Sequence, residues 1–127
     1  MRIVLVCCLL LASGRVFALE SAQEYLSACK DIANAKVTEE RVFFAPSFES
    51  GQCWGAFGAI QKTVAYADRA TNLPYFLVCA PPKTTLSQFV AIFVAYAQRH
   101  PERLHESYYE VAMDSLREAF PCRRTRK

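Results

Sequence analysis

No two histidines or cysteines in this chain stand at the spacing of a metal site. It has no CxxC and no HExxH, and its two histidines, His100 and His105, sit five apart across the start of a helical turn, off any single helix face. No metal and no cofactor is therefore expected. Also missing are GxSxG, a phosphate-cradling glycine loop and a dinucleotide fingerprint. The phospholipase pairing of an adjacent Cys-Cys with a long-helix histidine does not occur either, the one adjacent pair, Cys7-Cys8, lying in the apolar run near the start. Glu39-Glu40 are neighbours in sequence, whereas paired acid–base chemistry needs carboxylates across a cleft. These absences argue against an enzyme.

Long apolar runs are missing too. The longest, Ile3 to Ala12, covers about ten residues, half of the roughly 20 that a membrane helix needs. With Arg2 before it and Val16-Phe17-Ala18 after it, the run reads as a secretory leader cleaved after Ala18. Neither Cys7 nor Cys8 follows the small residue that a lipoprotein signal requires. Residues 1–18 are thus assigned to a signal peptide, 19–122 to one folded domain and 123–127 to a basic tail. The mature chain is expected to be exported and soluble, without membrane insertion.

Removing Arg2 and Arg15 leaves 13 basic residues against 12 acidic ones, so the mature chain is nearly neutral. Four of the 13 are Arg123, Arg124, Arg126 and Lys127, and without them residues 19–122 carry a net charge of −3. Basicity belongs to a tail that reads as a solvated end. With no interleaved aromatics it makes a poor nucleic-acid footprint, and no nucleic-acid partner is expected.

What is present is helical. Ser21-x-x-Glu24 forms a capping box ahead of Tyr25, Leu26, Cys29, Ile32 and Ala33, predicting a helix over 22–34. Residues 35–50 lack periodicity and read as a connector. Cys53, Phe57, Ile60, Val64 and Ala67 then recur at spacings of four, three, four and three, the seam of a second helix ending near Thr71-Asn72. Gly51, Gly55 and Gly58 in its first turns weaken a helix by about 1 kcal/mol each, which predicts a backbone packed close against them. Tyr75 to Ala80, bounded by prolines, reads as a buried extended segment. Thr85-x-x-Gln88 caps a third helix with Leu86, Phe89, Val90, Phe93, Tyr96 and Ala97 inward. A short turn over 101–106 precedes a last helix over 108–120. Ser107-x-x-Glu110 looks like its capping box, and Tyr108, Val111, Ala112, Ser115, Leu116 and Ala119 its inner face. Four to five helices with little strand signal give an all-α fold, a small disulfide-stapled bundle.

Four cysteines remain in the mature chain: Cys29, Cys53, Cys79 and Cys122. An even number in an exported domain reads as two bridges, and four cysteines allow three pairings. The helix plan selects among them. Cys79 and Cys122 flank an antiparallel helix pair, and a connector of about 16 residues can bring Cys53 back to Cys29. Cys29–Cys53 and Cys79–Cys122 are expected.

A protein without catalytic groups acts through its surface. Phe43, Phe44 and Phe48 in the connector, Tyr66 and Arg69 late in helix two, and Tyr75 and Phe76 after it are the candidate binding residues, since aromatics and arginine anchor interfaces. The opposing reading is that the phenylalanines roof the core. Tyr108 and Tyr109 cannot both face inward.

Particular motifs also resemble a known family. Val78-Cys79, Thr85-Leu86-x-Gln88-Phe89, His100-Pro101-Glu102-Arg103-Leu104-His105 and Leu116-Arg117-Glu118-Ala119-Phe120-Pro121-Cys122 are similar to the Rap/Tai immunity-protein family, as are Leu26-Ser27-x-Cys29 and Cys53-Trp54-Gly55. The resemblance implies a small helical periplasmic protein, often a homodimer, that inhibits a peptidoglycan amidase effector of type VI secretion and so protects the producing cell. It implies no cofactor. Inhibition would bury a standard interface of about 1,600 Å² and plug the amidase groove with a protruding loop. Other classes remain open: a periplasmic stress chaperone or other envelope binding protein without a cognate toxin, and a lipid-binding module of the saposin kind.

Overall fold

The computed structural model describes residues 20–38, 41–71 and 74–122. The expected leader, Glu39-Glu40, Asn72 and the basic tail lie outside the described residues. Among the described residues four α-helices dominate: α1 (Ala22–Ala33), α2 (Phe48–Thr71), α3 (Leu86–Arg99) and α4 (Tyr108–Ala119). A two-stranded ribbon, β1 (Lys36–Val37) and β2 (Val42–Phe43), joins α1 to α2, and a 3-10 turn (Pro101–Arg103) joins α3 to α4. The all-α bundle is as expected. Helix α1 packs on α3 and α2, and α3 in turn carries α4.

Two of the expected capping boxes form. The Ser21 hydroxyl accepts from the Glu24 amide while Glu24 takes the Ser21 amide, and Thr85 and Gln88 repeat the arrangement. The next two amides of α1, Ala22 and Gln23, donate to the Glu106 and Leu104 carbonyls, so the start of α1 is sewn to the loop before α4. That stitching explains why the third box is absent. Tyr108 N donates to Glu20 O, Ser107 bridges Ser21 through the backbone, and the Ser107 side chain makes no cap bond.

The connector departs from expectation. Residues 36–37 and 42–43 form an antiparallel ribbon with Lys36 opposite Phe43 and Val37 opposite Val42. Thr38 and Arg41 pinch its turn, Thr38 N donating to Arg41 O at 2.9 Å and Arg41 N to Thr38 Oγ1 at 3.2 Å. Helix α2 begins at Phe48 because Ser47 and Ser50 cap it reciprocally: Ser50 N donates to Ser47 Oγ and Ser47 N to Ser50 Oγ. A serine fills the place usually held by Glu or Gln in that box.

The core is built from the expected seams. Cys29, Ile32, Cys53, Phe57, Phe93, Val111 and Leu116 are essentially inaccessible, and Phe57 stacks obliquely on Phe93 with centroids 5.1 Å apart. Three details are corrected. A Cβ on Gly51 or Gly55 would meet nothing within 4 Å, and on Gly58 only Leu86 Cδ2 at 3.6 Å. The glycines thus leave a surface of α2 open and admit no close backbone. On α4, Ala119 is exposed and Met113 is buried in its stead; the core ends at Leu116, a turn before the helix does. Residues 75–80 are buried only in alternation, with Val78 sealed and Tyr75, Leu77 and Cys79 exposed. Val78 finds its strand partner in Pro121, beyond α4, where sequence inspection had offered none.

Both disulfides form as expected, Cys29–Cys53 and Cys79–Cys122, with Cα atoms 5.5 and 5.0 Å apart. The first is buried; the second lies at the surface beside the Cys79 N to Phe120 O hydrogen bond.

Candidate functional site

Among the described residues no group of three or more His, Cys, Asp and Glu is placed to hold a metal ion, and no helix is long and apolar enough to cross a membrane. His100 is engaged locally: its ring stacks on Tyr96 with centroids 4.2 Å apart, and its Nδ1 lies 3.0 Å from Glu102 Oε1. His105 is exposed. Of the tyrosine pair, Tyr108 packs face to face on Tyr25 at 3.7 Å, and Tyr109 is the exposed one. Burial, with Tyr108 alongside, pushes the Tyr25 hydroxyl up to about 12.

The candidate binding residues fall into three places. Phe43 and Phe48 are exposed at the ribbon end of α2, while Phe44 between them is half-buried against Trp54, with centroids 5.5 Å apart. Tyr66 and Arg69, both exposed, lie 18 and more residues along α2 from Phe48, about 27 Å at 1.5 Å per residue. Tyr75 is 67% exposed and stands edge-on to Phe76, which is half-buried against the core.

The third place carries the most structure. Leu77 has φ 58°, a left-handed conformation that costs an L-residue with a Cβ roughly 1–2 kcal/mol. It is 61% exposed, so no burial of its side chain offsets that cost. The surrounding chain holds it there. Leu77 N donates to Pro74 O at 2.8 Å, Arg117 Nε donates to Phe76 O at 3.1 Å, Val78 is locked in the core, and Cys79 is tied to Cys122. A turn over 74–77 is thereby fixed from α4 and presents Tyr75 and Leu77 to solvent. Leu77 escaped sequence reading because its apolar side chain, in an apolar run, signals burial; only the backbone angle reveals otherwise.

Behind that turn lies a cleft of about 370 Å³ between the last turns of α2 and the Pro81-Pro82 segment. Gln61 Nε2 donates to Thr84 O at 3.0 Å, and Thr84 N and Oγ1 both bond Pro81 O, so the proline wall is pinned to α2.

On the other flank of the Phe76 carbonyl, Arg117 also donates to Asp114 Oδ1, whose Oδ2 accepts from Arg103 Nη2. Arg103 further grips Glu106 with two nitrogens and the Tyr96 hydroxyl with Nη1. Its Glu106 bonds come first among the causes that raise its pKa, and Arg103 in turn holds the Glu106 carboxyl below the usual range. These ion pairs brace the loop before α4. No curated protein and no solved structure matches the chain. The model of the Rap1a immunity proteins does, over residues 21–122, a span that holds both bridges, and the chain therefore belongs to the Rap1a immunity protein family.

Proposed function

We propose that this chain is a periplasmic immunity protein that binds and inhibits a peptidoglycan amidase effector of type VI secretion, and that the fixed turn over 74–77 is the part presented to the effector. The family gives the role of neutralising a secreted effector. The turn over 74–77 supports that part of the reading: strained backbone held against relaxation by its surroundings is a mark of binding elements, and Tyr75 and Leu77 are exposed and apolar enough to serve as anchors. A loop ordered before binding loses little conformational entropy on association. Two disulfides suit an oxidising compartment such as the periplasm, and the open, small-residue surface of α2 suits a second copy of the chain in a homodimer.

The test is calorimetric titration of a panel of small peptidoglycan amidases of the type VI effector class, starting with any encoded in an adjacent reading frame, with wild type, Tyr75→Ala, Leu77→Ala and Phe48→Ala. Tyr75→Ala and Leu77→Ala are expected to weaken binding at least tenfold, the size of an interface hot spot, without lowering the melting temperature. Loss confined to Phe48→Ala would move the contact to the ribbon end of α2. A panel in which every amidase ignores the wild-type protein would remove the reading altogether.

A further inference from the structure

The cleft behind the turn has a chemistry of its own. Val64, Val78 and Phe89 give it an apolar lining, and Pro81 and Pro82 a stiff wall. Asp68 also lines it, and Asp68 Oδ1 is shut off from solvent with no hydrogen-bond partner. A buried acceptor left unpaired costs about 1–3 kcal/mol, more for a charged group, and nearly all buried polar atoms in folded proteins are paired. The exposed side chains of Lys62 and Arg69 complete the lining.

Each feature narrows the guest. At about 370 Å³ the cleft sits near the bottom of the range for ligand sites, about 300–1,000 Å³, which suits one large side chain better than a cofactor. Two cations in the lining repel a lysine or arginine and attract the face of an aromatic ring. Phenylalanine would cover Asp68 without satisfying it. Tryptophan and tyrosine combine an apolar body with a terminal donor, and the carboxylate torsion of an aspartate is soft enough to turn toward one.

We infer that this cleft is a socket for a donor-bearing aromatic side chain of the effector, tryptophan or tyrosine, whose N–H or O–H donates to Asp68. The inference rests on the effector-binding reading above and extends that surface from the turn over 74–77 along the same segment to Pro82.

N-acetyl-tryptophanamide and its indole-N-methylated analogue, titrated into the ¹⁵N-labelled protein, provide the test. The unmethylated probe is expected to shift the amides of Ala65, Asp68, Val78 and Ala80, and the methylated one to bind at least tenfold more weakly. In Asp68→Ala, checked for folding by its melting curve, the two probes should bind alike. Equal binding of both probes to the wild type, shifts located elsewhere, or no shift at the solubility limit would each overturn the proposal. The wild-type comparison does not depend on the variant folding. With no effector in the sample, failure here leaves the immunity reading standing, and failure of amidase binding leaves this result standing.

Discussion

Arg103 is the residue on which most local order converges. Its guanidinium spans Glu106, Asp114 and Tyr96 at 2.6, 2.9 and 2.8 Å, with its side chain 22% exposed. A lysine keeps the charge but cannot reproduce the fork. Arg103→Lys is therefore expected to lose about 1–2 kcal/mol, visible as a lower urea midpoint at unchanged slope. The surface pair Arg99–Glu118, with both side chains more than half exposed, should be nearly silent to the same measurement. At the same scale the two bridges differ in access. Cys29 and Cys53 have no exposure, whereas Cys79 is exposed. Mild dithiothreitol under native conditions should open Cys79–Cys122 first, with Cys29–Cys53 reduced only as the domain unfolds; alkylation followed by peptide mapping reads the order.

Helix α2 shows how far local signals carry. Its seam was legible because Cys53, Phe57, Ile60 and Val64 are all within 5% of full burial. Its start was not, since Ser47-x-x-Ser50 substitutes a second serine into a box recognised by Glu or Gln, and Phe48 looked like connector. The glycines misled for a different reason. A glycine in a helix signals either a close neighbour or an open face, and one chain's pattern cannot separate the two. With empty space at Gly51 and Gly55, alanine at each should stabilise by about 0.5–1 kcal/mol, raising the melting temperature of the isolated protein. Should gel filtration show the protein to be a dimer, a double variant that gains stability and elutes as a monomer would place the open surface in that contact. Of the candidate site, the aromatic residues were found by type, but the turn that presents one of them, Tyr75, to solvent depends on Arg117 reaching Phe76 O across 41 positions, a contact no local pattern encodes.

Across the whole molecule, stability is tied to acid strength. Glu24, Glu102 and Glu106 each hold their proton less readily than the ordinary carboxyl value of 4.5. For Glu24 the Ser21 amide is the first cause, for Glu102 its own amide followed by His100, and for Glu106 the Arg103 guanidinium. Such groups bind fewer protons folded than unfolded, so their stabilisation is whole above 4.5 and disappears as pH falls through the lower folded values. Urea midpoints should hold steady from about pH 7 to 5 and drop as pH falls below about 4.5. The bridges resist this drift: on the chain-entropy view, closures of 24 and 43 residues contribute about 3.5 and 4 kcal/mol.

Those closures follow one another along the chain and do not interlace. A polypeptide threaded from its amino terminus through a membrane would deliver the four bridge-forming thiols to an oxidant in the order 29, 53, 79, 122. Joining each newcomer to the last unpaired thiol yields the native linkages directly, with no shuffling step. In a chain exported this way, export and oxidation could proceed together, with α1 and α2 fastened before α4 emerged.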